Sequence, residues 1–435
     1  MIQRTAGLAA IVLVGGIVQA DPGVASNDTL MRQIETLQRQ VDRLQAANEA
    51  EWLTEQRAEE IRGLVHDVLA DADTRASLLQ SGMTSGYDGG FFIGSGDGTF
   101  SLKVNGQLQL RYVYNQQDLS PTDDNRSGFE MRRTKLKFKG NAFGDWGYVI
   151  NGAFDRSGGA FELEDFVISY DLGNGWKARG GQFKAPFMRE ELVSSSRQML
   201  VDRSLVNEEF NQDRSQGIEL SWSGDQMRYA VMYSDGLRSS NSPWSDEDTE
   251  WGGLTARAEF LASGDWSAFK GMNAFPGTEQ SMMIGAAIHY EVEEYGTVSA
   301  NEVQDLRFTA DASLAFDGAT IFAAFVYQTL DDDAMLDADR YGFVIQGGMF
   351  VSDDTELFAR YEYGDYDSAG VEELSAITVG VSRYWNKHGL KWTTDLGFGV
   401  DEVDPVWASS GVGWRADAPS EDGQLVLRSQ VQLTF

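Results

Sequence analysis

The stretch FSLKVNGQLQLRYVY, residues 100–114, alternates between two kinds of side chain. One face carries the apolar and aromatic residues Phe100, Leu102, Val104, Leu108, Leu110, Tyr112 and Tyr114. The other face carries the polar residues Lys103, Asn105, Gln107, Gln109 and Arg111. Because successive side chains of a strand point to opposite faces, the pattern predicts a strand between an apolar and a polar environment. The stretch exceeds the ~9–11 residues that a tilted strand needs to cross a bilayer.

The same alternation recurs to the end of the chain, where Leu425, Leu427, Val431, Leu433 and Phe435 share one face. We predict strands at 100–115, 129–142, 146–156, 161–172, 176–184, 216–223, 226–235, 251–262, 281–291, 304–316, 319–329, 340–350, 355–365, 374–385, 388–401 and 423–435. This number is even, as in bacterial barrels. The connections alternate between short Gly- and Asp-rich turns and longer loops, except that 263–280 is long where a turn is expected.

These features predict an all-β transmembrane barrel of about 16 antiparallel strands over residues 100–435. A soluble β-sandwich also alternates, but its strands are usually shorter. The terminal Phe435 and the recurrence of aromatic residues near strand ends favour a membrane barrel. A barrel of this size leaves an aqueous channel. We therefore expect the polar face to line the lumen, since the chain offers no second apolar layer.

The first hundred residues differ from the rest. Residues 1–20 are typical of a signal peptide, with Arg4 ahead of an apolar run and a small-residue cleavage signal at Ala20. Residues 28–80 are predicted to be helical. Leu30, Ile34, Leu37, Val41 and Leu44 form a heptad seam, which indicates either a coiled coil, as a dimer or trimer, or one amphipathic helix packed on another surface. Residues 81–99 are predicted to be a linker.

The composition limits the function. The chain has no cysteine, and its net charge of −32 argues against nucleic acid as a partner. Residues 101–215 contain 16 basic and 16 acidic residues, so the remainder of the chain carries the whole negative charge. The predicted external loops are acidic, whereas one third of the chain is basic relative to the rest.

The predicted second strand is the most informative, because Arg133, Lys135, Lys137 and Lys139 share its polar face. Several other strands carry a basic residue on the polar face, and the long 185–215 connection is expected to fold into the barrel as a constriction. The predicted pore-lining, anion-binding residues are Lys103, Arg111, Arg133, Lys135, Lys137, Lys139, Arg189, Arg197, Arg203, Arg228, Arg257, Arg307, Arg360 and Arg428. The alternatives are a solvated strand face paired with acids such as Glu164, and a surface-exposed 185–215 loop.

Several motifs resemble those of the phosphate-selective porin O and P family. They include Gly86–Ile93, Phe100–Gln109, Met131–Gly140 and Gly181–Phe187, and the similarity is best over 86–220. The resemblance implies a homotrimer of sixteen-stranded barrels, an inward third loop and a lumenal arginine ladder with anion or phosphate preference. This chain is far more acidic than that pattern implies.

The sequence thus predicts an outer-membrane porin, with its coiled coil in the periplasm, that conducts small hydrophilic solutes and favours anions such as phosphate. The alternatives are a general or cation-preferring porin, and a structural tether from the membrane lipid to the cell wall. An enzyme is not expected, since His66, His289 and His388 do not assemble a nucleophile and base in the sequence. No cofactor or metal site is predicted.

Overall fold

The computed structural model describes residues 27–51, 63, 82–117, 124–245, 249–295, 301–332, 338–368 and 370–435. The chain divides into two compact units, Met1–Leu78 and Leu79–Phe435. The predicted signal peptide lies outside the described residues, as does the part of the predicted 28–80 helical segment after residue 51, apart from Gly63.

The described part of the first unit contains helix α1, Asn27–Glu51. Its heptad side chains Ile34, Leu37 and Val41 are about half exposed, so no contact within the described chain covers them. Arg39 pairs with Glu35 one turn away, at 3.6 Å between Nη2 and Oε2. The predicted coiled coil therefore remains a prediction. No helix in the described ranges is long and apolar enough to cross a membrane.

The second unit consists mostly of strands. A hairpin of β1 (Met83–Tyr87) and β2 (Phe91–Ser95) precedes the long strands. The long strands are β3 (Ser101–Gln117), β4 (Asp124–Ala142), β5 (Trp146–Phe154), β6 (Phe161–Gly173), β7 (Trp176–Lys184), β8 (Arg214–Ser223), β9 (Met227–Ser234), β10 (Thr249–Ser263), β11 (Ser281–Tyr295), β12 (Asn301–Phe316), β13 (Ala319–Asp332), β14 (Ala338–Ser352), β15 (Thr355–Asp365), β16 (Leu374–Asn386), β17 (Leu390–Gly399) and β18 (Leu425–Thr434).

Each long strand pairs antiparallel with the next, and β18 pairs with β3 from Leu425↔Gln116 to Thr434↔Gln107. The described chain thus forms a closed sixteen-stranded antiparallel barrel with two extra strands, and all the predicted barrel strands are confirmed. The 81–99 segment, predicted to be a linker, instead contains the β1–β2 hairpin. Strand β2 pairs with β3 through Phe91↔Val104, just beyond the point where β18 ends. The sequence did not predict β1 and β2 because strands of five residues are too short to show a clear alternation.

The barrel wall explains the alternation. On β3, Leu108 and Leu110 are exposed on the outer surface, whereas Gln109 and Arg111, which alternate with them, are buried inside. Large aromatic side chains, such as Phe129, Trp146 and Trp385, are also exposed on the outside. An apolar outer surface with aromatic residues is the surface that contacts lipid in a membrane barrel.

The lumen is not simply aqueous, which corrects the expectation that no second apolar layer exists. The connection 185–213, after β7, folds inward and buries Met199, Leu200 and Phe210. The connection 400–424, after β17, adds Trp407 and Trp414 to the same cluster. These side chains pack against the inward-facing apolar residues Val326, Val344 and Phe358. The apolar residues of the connections follow no period, so the sequence pattern did not reveal that they would be buried together.

The connection 264–280 is long at the end of the barrel where turns prevail, as its sequence indicated. It contains a 3-10 helix, Trp266–Phe269, and reaches the inward 185–213 connection. Met272 N donates to Arg197 O at 3.0 Å, and the Arg189 guanidinium donates to Phe269 O. The two connections therefore support each other inside the barrel.

Removing an aromatic ring from the lumenal cluster should destabilise the protein far more than removing one from the lipid-facing surface. Phe210 is fully buried and its ring centroid lies 6.0 Å from that of Trp407. We expect Phe210→Ala to lower the free energy of unfolding by about 3–5 kcal/mol through the cavity it creates. The matched variant Phe129→Ala, at a lipid-facing ring that is 77% exposed on the protein surface, leaves no cavity and should cost less, about 1.5 kcal/mol of lost transfer free energy.

Denaturant titration of detergent-folded protein, followed by tryptophan fluorescence, measures both values. Equal losses in the two variants would show that the lumenal cluster does not stabilise the fold.

Candidate functional site

A row of basic residues on β4 faces the lumen. Lys139, Lys137, Lys135 and Arg133 succeed one another at every second position, while Leu136 and Phe138 between them face outward. The alternation predicted that these four cations share one face of the strand, and in the structure they lie on one wall of the lumen.

A β-bulge adds a fifth cation to this row. Gln109 of β3 pairs with Arg133, but the next residue, Leu110, pairs with Met131, so that Arg132 is the extra residue. Arg132 and Arg133 consequently both reach Asp202 of the inward connection, at 3.2 and 3.0 Å. Strict alternation places Arg132 on the lipid-facing side, so sequence reasoning missed it. The high cost of a charged side chain facing lipid was the signal that could have revealed the bulge.

A second bulge lies on β6 nearby. Asn151 pairs with Asp165 and Gly152 pairs with Leu163, which leaves Glu164 as the extra residue. Glu164 and Asp165 therefore both face the lumen. Glu164 forms ion pairs with Lys135 at 2.5 Å and with Arg214 at 3.3 Å. Asp165 forms an ion pair with Arg214 at 2.7 Å. The predicted partnership between the basic row and Glu164 is thus present at Lys135.

A cavity of about 1310 Å³ runs along this wall. It extends from the turn 386–389 and Phe435 at one end to Arg132 and Glu208 at the other. The basic residues that line it are Arg132, Arg133, Lys135, Lys137, Lys139, Lys184, Arg197, Arg203, Arg214, Lys270 and Lys387; the acidic ones are Glu164, Asp165, Glu191, Glu208 and Asp213. Among the described residues this is eleven basic against five acidic side chains, a formal excess of six positive charges.

The acids neutralise only part of the wall. Glu191 pairs with Lys184 at 2.6 Å and with Arg203 at 3.3 Å. Within the described part of the chain, Lys137 and Lys139 form no ion pair with an acidic side chain. Burial lowers the pKa of His388, in the turn at the same end, well below its ordinary value. At neutral pH the positive charge therefore resides on lysine and arginine.

The inward connection contributes buried acids. Burial alone raises the pKa of the Asp202 carboxyl, but Arg132, Arg111 and Arg133 together lower it well below its ordinary value. Asp202 is therefore ionised, and it holds the 185–213 connection against β3 and β4. Burial raises the pKa of Glu208, and the nearby Asp202 raises it further.

Six of the predicted pore-lining residues line the cavity: Arg133, Lys135, Lys137, Lys139, Arg197 and Arg203. The other eight do not line it: Lys103, Arg111, Arg189, Arg228, Arg257, Arg307, Arg360 and Arg428. Most of them are paired with acids in the packed interior, as Arg428 is with Asp395 at 2.7 Å and Arg257 with Asp311 at 2.8 Å. Arg228 instead lies over the ring of Trp266, at 3.9 Å from its centroid.

The interior arginines are thus part of the packing of the barrel. Arg360 pairs with Glu190 at 2.8 Å, and Arg307 pairs with Asp305 at 2.7 Å. A buried arginine needs such a partner because an uncompensated charge away from water is costly. Besides Arg132, the predicted set lacks four basic residues that line the cavity, because they lie at strand ends or in connections where no period applies: Lys184, Arg214, Lys270 and Lys387. Within the described ranges, no group of three or more His, Asp or Glu side chains is arranged to hold a metal ion.

Solved structures with the same fold are known. An anion-selective porin from Comamonas acidovorans aligns with a TM-score of 0.56 and 14% identity, covering 77% of this chain and 100% of that one. The outer membrane channel DcaP of Acinetobacter baumannii aligns with a TM-score of 0.54 and 13% identity, covering 78% and 99%. OmpT of Vibrio cholerae aligns with a TM-score of 0.53 and 13% identity, covering 78% and 98%. At these identities the similarity concerns the fold. A search of curated proteins finds no match to the chain.

A closed sixteen-stranded barrel with a lipid-facing apolar surface and a charged lumen is the architecture of outer-membrane porins. A family model described as phosphate-selective porin O and P matches residues 103–392. The chain therefore belongs to the phosphate-selective porin O and P family, which is a family of channels.

The bulge at Arg132 can be tested by deletion. Removing Arg132 should leave β4 with regular pairing, because Met131 and Arg133 already occupy consecutive positions opposite β3. Removing the outward-facing Thr134 instead shifts Arg133 to a lipid-facing position, which costs about 2–4 kcal/mol at the bilayer midplane.

We expect the Arg132 deletion to fold to the same yield as the parent protein and the Thr134 deletion to fold poorly. The heat-dependent gel mobility of protein refolded into lipid vesicles measures the folded fraction. Equal yields for the two deletions would contradict the bulge.

Proposed function

We propose that this porin is a passive diffusion channel for small hydrophilic solutes that favours anions such as phosphate. The observation that carries the proposal is the formal excess of six positive charges around the 1310 Å³ cavity, in a chain whose net charge is −32. A solute that enters the barrel along this wall meets cations at successive positions of β4. Such a row lowers the electrostatic energy of an anion and raises that of a cation.

The acidic external loops do not cancel this effect. At about 0.15 M salt, exposed charges are screened beyond about 8 Å, whereas charges inside a confined cavity are screened less. Lys137 and Lys139 are particularly suited to bind a passing anion, because no described acid is paired with them. Arginine and lysine are also the side chains that bind phosphate oxygens in proteins. One of the structures with the same fold is described as an anion-selective porin.

Replacing the two unpaired lysines tests the proposal. In a planar bilayer under a KCl gradient, the parent channel should show a reversal potential of the sign expected for anion selectivity, and phosphate should block its chloride current. The double variant Lys137→Gln, Lys139→Gln should lose much of this selectivity and weaken the phosphate block by about tenfold, equivalent to about 1.4 kcal/mol. The control Lys177→Gln removes an exposed lysine that does not line the cavity, and should leave both measurements unchanged.

Cation selectivity of the parent channel would instead favour a general or cation-preferring porin governed by the acidic loops. A double variant that matches the control would show that the β4 row does not carry selectivity.

The proposed assembly is a homotrimer in outer-membrane lipid, with residues 28–80 forming a coiled coil in the periplasm. The exposed heptad side chains Ile34, Leu37 and Val41 support self-association, because apolar residues at this spacing bury their surface against another helix. One solved structure with the same fold, of Vibrio cholerae OmpT, is described as a trimer form.

The exposed seam on α1 also favours a second candidate function, a tether from the barrel to the cell wall. Deleting residues 28–80 separates the two functions. A channel whose coiled coil serves assembly should keep its single-channel conductance and selectivity while the oligomer dissociates more readily in detergent. Loss of attachment of the outer membrane to the cell wall in cells carrying the deletion, with conductance intact, would favour the tether.

A further inference from the structure

The basic wall ends at a carboxylate that belongs to the chain itself. Arg132 and Arg133 line the far end of the cavity, and directly behind them lies Asp202, which is buried and does not line it. Asp202 Oδ1 lies 3.2 Å from Arg132 Nε and 3.0 Å from Arg133 Nη1. Its other oxygen contacts the guanidinium of Arg111, on the neighbouring strand β3. A carboxylate thus occupies the point to which guanidinium groups from two strands converge.

The same segment is held by its backbone. Val201 N donates to Asp395 Oδ2 at 3.0 Å, and Arg360 Nη1 donates to Asp202 O at 3.2 Å. The neighbouring side chains Met199 and Leu200 are buried in the lumenal apolar cluster. The position of the 185–213 connection therefore does not depend on the charge of Asp202 alone.

The arginines around Asp202 exceed their described acidic partners. Arg111 also contacts Glu130 of β4. The guanidinium groups of Arg111, Arg132 and Arg133 are therefore in direct contact with only two carboxylates, those of Asp202 and Glu130. Beyond Glu130 lies Arg156, at 3.1 Å between Nη1 and Oε2 and partly exposed in the connection after β5. This cluster consequently lies between the basic cavity and the end of the barrel that carries the connection after β5.

We propose that Arg111, Arg132 and Arg133 form a binding site for a small oxyanion, such as a phosphate or a carboxylate, which the chain's own Asp202 occupies. Asp202 then competes with a diffusing anion for these guanidinium groups and limits the anion selectivity of the channel. The inference deepens the proposed function, on which it rests, by naming the residue that determines selectivity at the end of the basic wall. The guanidinium fork matches the paired oxygens of carboxylate and phosphate alike, so an internal carboxylate is a chemical substitute for the solute.

The test is the isosteric variant Asp202→Asn, which removes the charge and retains the shape. We measure the anion-to-cation permeability ratio from the reversal potential under a KCl gradient, and the concentration of inorganic phosphate that halves the chloride current. Asp202→Asn should raise the permeability ratio about threefold and lower the half-blocking phosphate concentration about tenfold, as expected when a close competing charge is removed. The matched control Asp353→Asn neutralises an exposed acid in the turn after β14 that does not line the cavity, and should change both values less than twofold.

A purely structural role of Asp202 predicts a different result. Its replacement would then loosen the inward connection and raise the conductance to K⁺ and Cl⁻ alike, with the phosphate block unchanged, which would overturn the proposal. An unchanged permeability ratio and phosphate block would overturn it as well.

A second variant covers the case in which Asp202→Asn does not fold. Arg132→Gln leaves Asp202 paired with Arg111 and Arg133, so Asp202 neutralises the remaining site more completely and the half-blocking phosphate concentration should rise about tenfold. No change in Arg132→Gln would contradict the proposal. A parent channel that prefers cations would refute the proposed function, whereas the shift between the parent channel and Asp202→Asn still decides the role of Asp202.

Discussion

A bilayer interior offers no water to hydrogen-bond a free strand edge, and this constraint governs the whole structure. It requires β18 to close on β3, which they do over residues 425–434 and 107–116. Closure in turn directs one face of every strand to lipid and the other to a confined lumen. Polar side chains on the inner face then need partners that the wall alone does not provide. The inward connections supply them through acids such as Glu190 and Asp202.

The lumen divides into two regions with different electrostatics. Over much of the circumference, apolar residues of the 185–213 and 400–424 connections pack against the wall, and the arginines among them are paired and buried. Along β4 the connections leave the wall uncovered, and the cavity there retains an excess of positive charge. The open region is therefore displaced towards one side of the barrel, against the strands richest in basic residues.

Alternation in the sequence was sufficient to predict the strands, their number and the inward direction of the basic row, because a period of two is a direct consequence of strand geometry. It failed wherever that period is interrupted. Arg132 and Glu164 are bulge residues, and a bulge shifts the period by one position without any special residue type. The lumenal apolar cluster was missed for a related reason, since Trp407 and Phe210 belong to connections whose burial depends on tertiary structure. The arginines predicted to form a ladder lie mostly inside the barrel, but their pairing with acids distant in the sequence, such as Arg360 with Glu190, follows only from the folded barrel.

The difference between paired and unpaired cations has an evolutionary consequence. A substitution at Arg428 leaves the buried carboxylate of Asp395 without its partner, and breaking a buried pair of this kind costs about 3–5 kcal/mol. A substitution at Lys137 or Lys139 leaves no described carboxylate unpaired, so selection on folding tolerates it. Under the proposed function, solute preference can therefore drift among descendants of this chain through a few positions of β4, while the barrel and its packed connections are retained. Homologous barrels of this construction can diverge in what they conduct without first acquiring a compensating stabilising mutation.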